Sequence, residues 1–233
     1  MVYVQEVLDR MKTAVLIPTY NEEKAIGAII DKIRAQKLEV VVVDDGSADQ
    51  TQKIARSKGA VVIRNEQNLG KGFSLIKGFE YCLKNGFDSV ITMDGDGQHC
   101  PEDIALFLSQ ARDSQAGLLI GNRMSVTADM PRLRLLTNKF MSWIISGVAG
   151  QKVPDTQCGF RLLKKGLLEK MELRSGKYEI ESEMIIKAAR LKFNIVSVPI
   201  KTIYRGEVSR INPFVDTLRF LRFIIRELWT MPR

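Results

Sequence analysis

Short apolar runs alternate with amphipathic stretches along the first half of the chain, and this alternation predicts its secondary structure. Five runs rich in Val, Ile and Leu predict strands over residues 13–18, 39–43, 60–63, 89–93 and 117–120. Between them apolar residues recur at helical spacing, as in Ile26, Ile29, Ile30 and Ile33. Such alternation is typical of an α/β fold, in which helices flank a mainly parallel sheet on both faces.

The second half of the chain has a weaker rhythm. Helical spacing predicts helices over residues 131–148, 181–191 and 214–229, and a strand over residues 195–203 that Pro199 interrupts. No stretch rich in Pro, Gly or Ser separates the two halves. We therefore expect one domain over residues 1–233, with a C-terminal amphipathic helix within residues 213–233.

Three polar clusters follow predicted strands. They comprise residues 18–22 after the first strand, residues 44–47 after the second and residues 94–98 after the fourth. Ligands of open α/β sheets bind outside the carboxyl ends of the strands. We therefore expect the three clusters to converge on one binding site.

The net charge of the chain indicates which classes of partner the predicted site could bind. Lys and Arg number 35 against 27 Asp and Glu among 233 residues, a formal net charge of +8. Most of the excess lies in residues 184–233, with ten Lys or Arg against three Asp or Glu. A locally basic face suits phosphates, anionic lipid or nucleic acid. A basic nucleic-acid-binding protein is the less favoured alternative, and we expect no nucleic-acid partner, because neither zinc-finger spacing nor aromatic residues interleaved with basic ones are present.

The number of cysteines and histidines and the length of the apolar segments indicate the cellular compartment of the protein. The three cysteines form no Cys-x-x-Cys pair and His99 is the single histidine, so we expect a reducing cytoplasm and no zinc site. The N-terminus shows no apolar signal segment. The longest uncharged stretch, residues 140–151, is shorter than the roughly 20 residues that span a membrane. We expect a chain that does not cross a membrane.

The run Asp94-Gly95-Asp96-Gly97-Gln98 predicts a divalent cation site. Two carboxylates in a Gly-rich turn can face one ion, and Gln98 can add a carbonyl oxygen. Mg²⁺ and Mn²⁺ prefer oxygen ligands, and substrate phosphates can complete the shell. For this motif alone, a turn with solvated acids is the alternative.

Two further motifs suggest contacts to a nucleotide. Asp44 and Asp45 can accept hydrogen bonds from a nucleobase or ribose, or belong to the cap of the next helix. Lys71, within Asn68-Leu-Gly-Lys-Gly72, stands at a helix start where it can meet phosphate or base. The spacing around Lys71 is not that of a P-loop.

Together, seven motifs in order resemble family 2 glycosyltransferases of the GT-A fold, a Rossmann-like fold for nucleotide-diphosphate sugars. The motifs are Pro18-Thr-Tyr-Asn-Glu22, Val43-Asp-Asp-Gly-Ser47, Asn68-Leu-Gly-Lys-Gly72, Asp94-Gly-Asp-Gly-Gln98, Gly121-Asn-Arg123, Asp155-Thr-Gln-Cys-Gly-Phe-Arg161 and residues 179–183. The resemblance runs over residues 13–210 and is nearest to dolichyl- or polyprenyl-phosphate mannose or glucose synthases.

The resemblance implies a GDP- or UDP-linked hexose donor and inversion at the anomeric carbon. It implies that residues 13–123 bind the nucleotide sugar and that residues 124–212 form the acceptor half. The residues that it places around the nucleoside are Pro18, Tyr20, Glu22, Asp44, Asp45 and Lys71. The residues that it places on Mg²⁺ or Mn²⁺ and the diphosphate are Asp94, Asp96 and Gln98.

The resemblance also implies the acceptor chemistry. Asp155 is the candidate base or acceptor-orienting carboxylate, Asp96 is a further catalytic carboxylate, and Glu181 or Glu183 assists. A lipid phosphate is already ionised at neutral pH, so it needs cations more than a base. The groups assigned to a polyprenyl or dolichyl phosphate are Arg123, Arg205, Ser209 and Arg210. A saccharide or small-molecule hydroxyl is the alternative acceptor.

Residues 214–229 predict a basic amphipathic helix. An apolar stripe contains Leu218, Leu221, Ile225, Leu228 and Trp229, and Arg219, Arg222 and Arg226 share another face. Such a helix can lie on an anionic membrane surface, which would make the protein peripheral to the inner face of the membrane. Packing on the sheet or on a partner subunit is the alternative, and the sequence predicts no oligomeric state.

Overall fold

The computed structural model describes residues 11–125, 130, 132–201 and 213–229. Within them, seven strands form one sheet: β1 (Thr13–Thr19), β2 (Glu39–Asp44), β3 (Val61–Arg64), β4 (Ser89–Thr92), β5 (Leu118–Asn122), β6 (Arg161–Lys164) and β7 (Ile195–Pro199). Strands β1 to β5 occupy the five predicted apolar runs. Of the strand predicted over residues 195–203, β7 covers the part up to Pro199, which has no N–H to continue a ladder, and residues 202–203 lie outside the described residues.

The helices follow the predicted order. They are α1 (Ile26–Arg34), α2 (Thr51–Ser57), α3 (Lys71–Lys84), α4 (Ile104–Asp113), α5 (Arg132–Ala149), α6 (Lys165–Leu168), α7 (Ile180–Arg190) and α8 (Pro213–Trp229). Short 3-10 turns cover Pro101–Asp103 and Arg123–Ser125. The predicted helices over 131–148, 181–191 and 214–229 correspond to α5, α7 and α8.

The strand order is β3-β2-β1-β4-β6-β5-β7. Six strands run in one direction, whereas β6 is antiparallel to both neighbours, β4 and β5. The mainly parallel sheet is confirmed, but the hydrophobic pattern did not predict β6. This strand has four residues and a charged residue at each end, Arg161 and Lys164, so it shows neither an apolar run nor an alternation.

The centre of the sheet is buried on both faces. Strand β2 contributes Val40–Val43, each at most 2% exposed, as its β-branched run predicted. Helix α3 packs on β1 and β2, and a Cβ at Gly78 would collide with Leu16. The close approach at Gly78 sets the position of α3 on the sheet, and therefore places Lys71 at the carboxyl edge.

Helix α8 packs against the rest of the domain through one apolar face. Phe220, Phe223 and Ile224 are buried, and Arg190 of α7 donates to the Glu227 carboxylate at 2.6 Å. The side chains of α8 that face outward include Arg219, Arg222, Ile225, Arg226 and Trp229. The prediction that Ile225 and Trp229 share an apolar face separate from the arginines is therefore wrong, because the buried face of α8 is formed by other residues. In the described part of the chain, no helix is long and apolar enough to cross a membrane.

Candidate active site

A cleft of about 770 Å³ opens at the carboxyl edge of the sheet. Ten residues predicted for the site line it: Pro18, Tyr20, Glu22, Asp45, Lys71, Asp94, Asp96, Gln98, Arg123 and Glu181. The three polar clusters thus meet, because β1, β2 and β4 are adjacent and parallel. Asp44, Asp155 and Glu183 are buried beside the cleft rather than lining it. The predicted acceptor residues Arg205, Ser209 and Arg210 lie outside the described residues.

The neighbouring aspartates at the end of β2 have different surroundings. Asp44 is fully buried, accepts the Ser47 N–H at 3.0 Å and lies 3.3 Å from the Arg64 guanidinium. Asp45 lines the cleft and accepts the backbone N–H groups of Leu69 and Gly70 at 3.0 and 2.7 Å. Asp44 therefore stabilises its own turn, whereas Asp45 fixes the loop that begins α3.

Lys71 joins two carboxylates inside the cleft. Its Nζ lies 2.5 Å from Asp94 Oδ1 and 2.6 Å from Glu181 Oε1. Burial opposes charge on Lys71, but Asp94 and Glu181 outweigh it and raise the pKa of the ammonium. Burial likewise disfavours the charged form of Asp94, yet Lys71 holds the pKa of that carboxyl well below its usual range. The cleft therefore contains an ionised carboxylate and an ammonium at neutral pH.

Gly159 is packed against this ion pair. A Cβ at position 159 would lie 2.7 Å from Asp94 Oδ2 and 2.9 Å from Lys71 Nζ. Any side chain there would displace one of the two charged groups. The glycine of the Asp155-to-Arg161 motif thus provides the room in which Asp94 and Lys71 meet.

His99 stabilises the backbone of the turn that begins at Asp94. The ring is buried, and its Nδ1 accepts the Asp94 N–H at 3.3 Å. Burial, together with the positive charge of Arg123 and Lys71, lowers the pKa of His99 to about 4. The imidazole is therefore neutral near pH 7 and acts as a hydrogen-bond acceptor for the backbone of Asp94.

Arg123 is held at the cleft wall by Asp155. The guanidinium donates from Nε to Oδ2 at 2.7 Å and from Nη2 to Oδ1 at 2.9 Å, and the Arg123 N–H donates to Oδ2 at 3.1 Å. Both residues are at least 95% buried. Because both carboxylate oxygens of Asp155 are engaged, the geometry suits a carboxylate that orients Arg123 better than a proton acceptor.

The predicted cation ligands fit a Mg²⁺ or Mn²⁺ that is shared with a substrate. Asp94 and Asp96 both line the cleft, and Asp96 Oδ1 accepts the Gln98 N–H at 2.9 Å. No cluster of three or more His, Cys, Asp or Glu able to hold a metal occurs among the described residues. Mg²⁺ usually takes only one or two protein carboxylates and completes its shell with water and substrate phosphates. Two aspartates on an open cleft match that donor set.

The pattern of the sequence did not assign a role to Arg161. This side chain is fully buried and donates to the carbonyls of Cys158, Thr156 and Glu181 at 2.7, 2.9 and 2.5 Å. It thereby joins the 155–159 loop to the first turn of α7, which carries Glu181. The sequence around Arg161 shows no pattern that could have indicated this role, because β6 has a charged residue at each end.

Glu183 does not line the cleft, and its contacts stabilise a neighbouring loop. Its carboxylate accepts the N–H groups of Arg174 and Ser175 and pairs with Lys187 at 2.8 Å. Burial disfavours its charge, but the bonds to Lys187 and to this backbone lower the pKa of Glu183 below 4.5. Ser175 precedes Gly176, whose carbonyl accepts the Gly72 N–H. Glu183 therefore fixes a loop that contacts the start of α3.

We expect Glu183→Gln to destabilise the fold at pH 7 by about 1–3 kcal/mol, the range for hydrogen bonds to a buried charged group. The pKa of Glu183 is lower in the folded state, so its stabilising effect is complete above the pKa of the unfolded state and is lost as the pH falls through the lower pKa of the folded state. The difference between variant and parent should therefore shrink on acidification. Urea unfolding at several pH values measures it. Glu172→Gln, in an exposed ion pair, is the control, and an equal effect there would contradict the assignment.

The sheet order and the cleft at its carboxyl edge place this protein in the class of GT-A-like α/β folds. The solved structure of glucosyl-3-phosphoglycerate synthase from Mycobacterium tuberculosis has a TM-score of 0.73 to it at 20% sequence identity. The match covers 99% of this chain and 84% of that one. That enzyme was solved with Mn²⁺, uridine diphosphate and glucosyl-3-phosphoglycerate. The likeness establishes the shared fold.

The chain belongs to Glycosyl transferase family 2, whose family pattern matches residues 14–172. It is 33% identical to a UDP-N-acetylglucosamine–dolichyl-phosphate N-acetylglucosaminyltransferase of Methanococcus voltae, over 81% of this chain and 84% of the relative. It is 30% identical to polyprenol monophosphomannose synthase of Mycolicibacterium smegmatis, over 81% and 76% of the two chains. The family indicated by the seven motifs is confirmed, and the protein is a glycosyltransferase.

Proposed function

We propose that this enzyme moves a hexose from GDP-mannose or UDP-glucose to a polyprenyl or dolichyl phosphate, with a divalent cation and inversion at the anomeric carbon. The observation that carries the proposal is the buried Arg123 guanidinium, clamped by Asp155 and facing the cleft that holds Asp94 and Asp96. Relatives named for dolichyl phosphate and polyprenol monophosphate support the acceptor class.

The donor would bind across the carboxyl ends of β1, β2 and β4. Pro18, Tyr20, Glu22 and Asp45, which line the cleft, would meet the nucleoside, and Lys71 would add positive charge beside the diphosphate. Asp94, Asp96 and Gln98 would hold Mg²⁺ or Mn²⁺. The ion, when bound, neutralises the negative charge that develops on the departing nucleoside diphosphate. Asp44, which does not line the cleft, serves this site through the turn that it stabilises.

The acceptor would attack with a phosphate oxygen that is already ionised. A bond forms between this oxygen and the anomeric carbon while the bond from that carbon to the donor diphosphate breaks, so no proton has to be removed. Arg123 would bind the acceptor phosphate through the N–H donors that Asp155 leaves available, and Asp155 keeps the guanidinium oriented. Glu181 assists by holding Lys71. The sequence resemblance would add Arg205, Ser209 and Arg210 to this phosphate site, and they lie outside the described residues.

A phosphate-bearing prenyl acceptor also implies work at a membrane surface. Exposed Arg219, Arg222 and Arg226 of α8 face outward beside exposed Ile225 and Trp229. Cationic and apolar side chains on one exposed face suit an anionic leaflet. We propose that the enzyme is peripheral to the inner face of the membrane, with α8 contributing to its attachment.

The acceptor class is tested by matched acceptors that differ only in the head group. Purified protein with Mn²⁺ or Mg²⁺ is given GDP-mannose, UDP-glucose or UDP-N-acetylglucosamine, together with a short-chain prenyl phosphate or the matching prenol. Mass spectrometry should detect a glycosylated prenyl phosphate with one donor and no glycosylated prenol, and Asp96→Ala should abolish the product. Transfer to the prenol or to a saccharide, with none to the phosphate, would contradict the proposal and favour a hydroxyl acceptor.

A further inference from the structure

Helix α5 carries an apolar stripe that the rest of the described chain leaves exposed. Leu136, Phe140 and Trp143 are 65%, 59% and 73% exposed, and their spacing places them on one side of the helix. The rings of Phe140 and Trp143 lie 6.3 Å apart and are nearly parallel. The stripe is about 10 Å long at the helical rise of 1.5 Å per residue. Large apolar side chains clustered in this way mark an interaction surface.

The opposite side of α5 is the one that packs in the domain. Asn138, Ser142 and Ile145 are buried there, and the Ser142 hydroxyl accepts the Thr156 N–H at 3.0 Å. Helix α5 also packs on α7. The helix is therefore fixed by its inner face, and the described part of the chain leaves the stripe uncovered at the surface.

The charges of α5 indicate the nature of that partner. Residues 132–149 contain Arg132, Arg134 and Lys139 and no Asp or Glu. Lys139 is exposed within the stripe region, and Arg134 lines the cleft. A helix with exposed aromatic residues, basic side chains and no acidic ones matches an anionic lipid surface. A two-fold contact between copies would instead bring like charges of α5 together, with no acid on the helix to pair them.

We propose that α5 docks on an anionic bilayer through Leu136, Phe140 and Trp143, independently of α8. Trp and other aromatic side chains favour the membrane interface, where one part of the ring stays near water. Arg134 lies on the inner side of the same helix, one turn before Asn138, and lines the cleft. Docking at α5 would therefore hold the cleft close to the lipid surface, on the side of α5 that faces away from the lipid. A role of this docking in supplying a prenyl phosphate to the cleft rests on the function proposed above. Binding of the helix to lipid does not.

The two tryptophans of the chain make the proposal directly testable, because one lies on α5 and the other on α8. Trp229→Phe leaves Trp143 as the only tryptophan, and Trp143→Phe leaves Trp229. Each variant is mixed with phosphatidylglycerol/phosphatidylcholine vesicles that contain brominated lipid, which quenches tryptophan on contact. We expect quenching of Trp143 in the first variant, and little in vesicles of phosphatidylcholine alone. Vesicle binding in which Trp143 remains unquenched would overturn the proposal.

A variant with two acidic substitutions in the stripe provides the second measurement. Leu136→Glu with Phe140→Glu should weaken partition into the anionic vesicles at least about tenfold, because it removes apolar contact and adds like charge. Leu106→Glu on α4, where the parent side chain is 45% exposed, is the matched control and should bind as the parent does. Equal partition of the stripe variant and the parent would contradict docking by α5. Light scattering that shows a dimer of the parent, lost in the stripe variant, would identify a second copy as the partner instead.

Failure of this proposal and failure of the proposed function can be told apart. With a short-chain prenyl phosphate in solution, the stripe variant should turn over at the rate of the parent, since no substituted residue lines the cleft. With a long-chain prenyl phosphate in vesicles, its rate should fall with its partition. If the parent protein bound vesicles but glycosylated neither acceptor, the proposed function would be wrong. The proposal that α5 docks on the membrane would still hold.

Discussion

Asp96→Asn is expected to lower kcat/KM for glycosyl transfer by about 10²–10³-fold, the loss typical when one preorganised electrostatic group is removed from an active site. Asp96 lines the cleft beside Asp94 and is one of the two carboxylates proposed to hold the divalent cation. Asparagine keeps an oxygen that can accept the Gln98 N–H, so the turn itself should persist. Initial rates at saturating acceptor, measured across a Mn²⁺ titration, provide the test.

The metal titration separates this account from a general loss of activity. Asp96→Asn should need a higher Mn²⁺ concentration for half of its maximal rate, whereas Asp113→Asn, at the exposed end of α4, should match the parent. Thermal unfolding of the three proteins without metal should coincide. A variant that keeps both the parent rate and the parent Mn²⁺ dependence would show that Asp96 is not a ligand.

Arg161→Met should have the largest effect on stability, at least about 3 kcal/mol, because it leaves three buried carbonyl groups without their donor. These carbonyls belong to Cys158, Thr156 and Glu181. Methionine fills part of the volume but offers no N–H, and lysine cannot reproduce the planar fork of a guanidinium. Urea unfolding of Arg161→Met and Arg161→Lys gives the free energies.

Arg112→Met, at an exposed position of α4, is the control for the loss of one arginine and should change stability by less than about 0.5 kcal/mol. The folded fraction of Arg161→Lys should also show a lower kcat, because the guanidinium joins the loop of Asp155 to the turn of Glu181. If Arg161→Met unfolded at the urea concentration of the parent, the three bonds would have no net effect on stability.

Much of the fold could be predicted, because its signal is local. The apolar runs of β1, β2 and β4 are continuous, and α1 repeats Ile at helical spacing. Strand β6 escaped prediction because it is short and held by neighbours on both sides, β4 and β5. Strand β6 pairs with residues more than 40 positions away in the sequence. The four residues of the strand carry no local pattern that could predict this pairing.

The candidate site, like the fold, could be predicted only in part. Motifs at strand ends predicted which side chains would share the cleft, since the geometry of a parallel sheet brings those ends together. They could not show which of the two neighbours Asp44 and Asp45 lines the cleft, because both acids follow the same apolar run. Nor could they show that both oxygens of Asp155 bind Arg123, a contact between two separate loops.

The central claim is that the cleft at Asp94 and Asp96 is the site of the nucleotide-sugar diphosphate and its cation. Crystals grown with Mn²⁺ and GDP or UDP, measured near the manganese absorption edge, test it most directly. The account predicts one anomalous peak in contact with the carboxylates of Asp94 and Asp96 and with the diphosphate, and the nucleoside beside Asp45. A nucleotide bound outside this cleft, or manganese that contacts neither aspartate, would contradict the account.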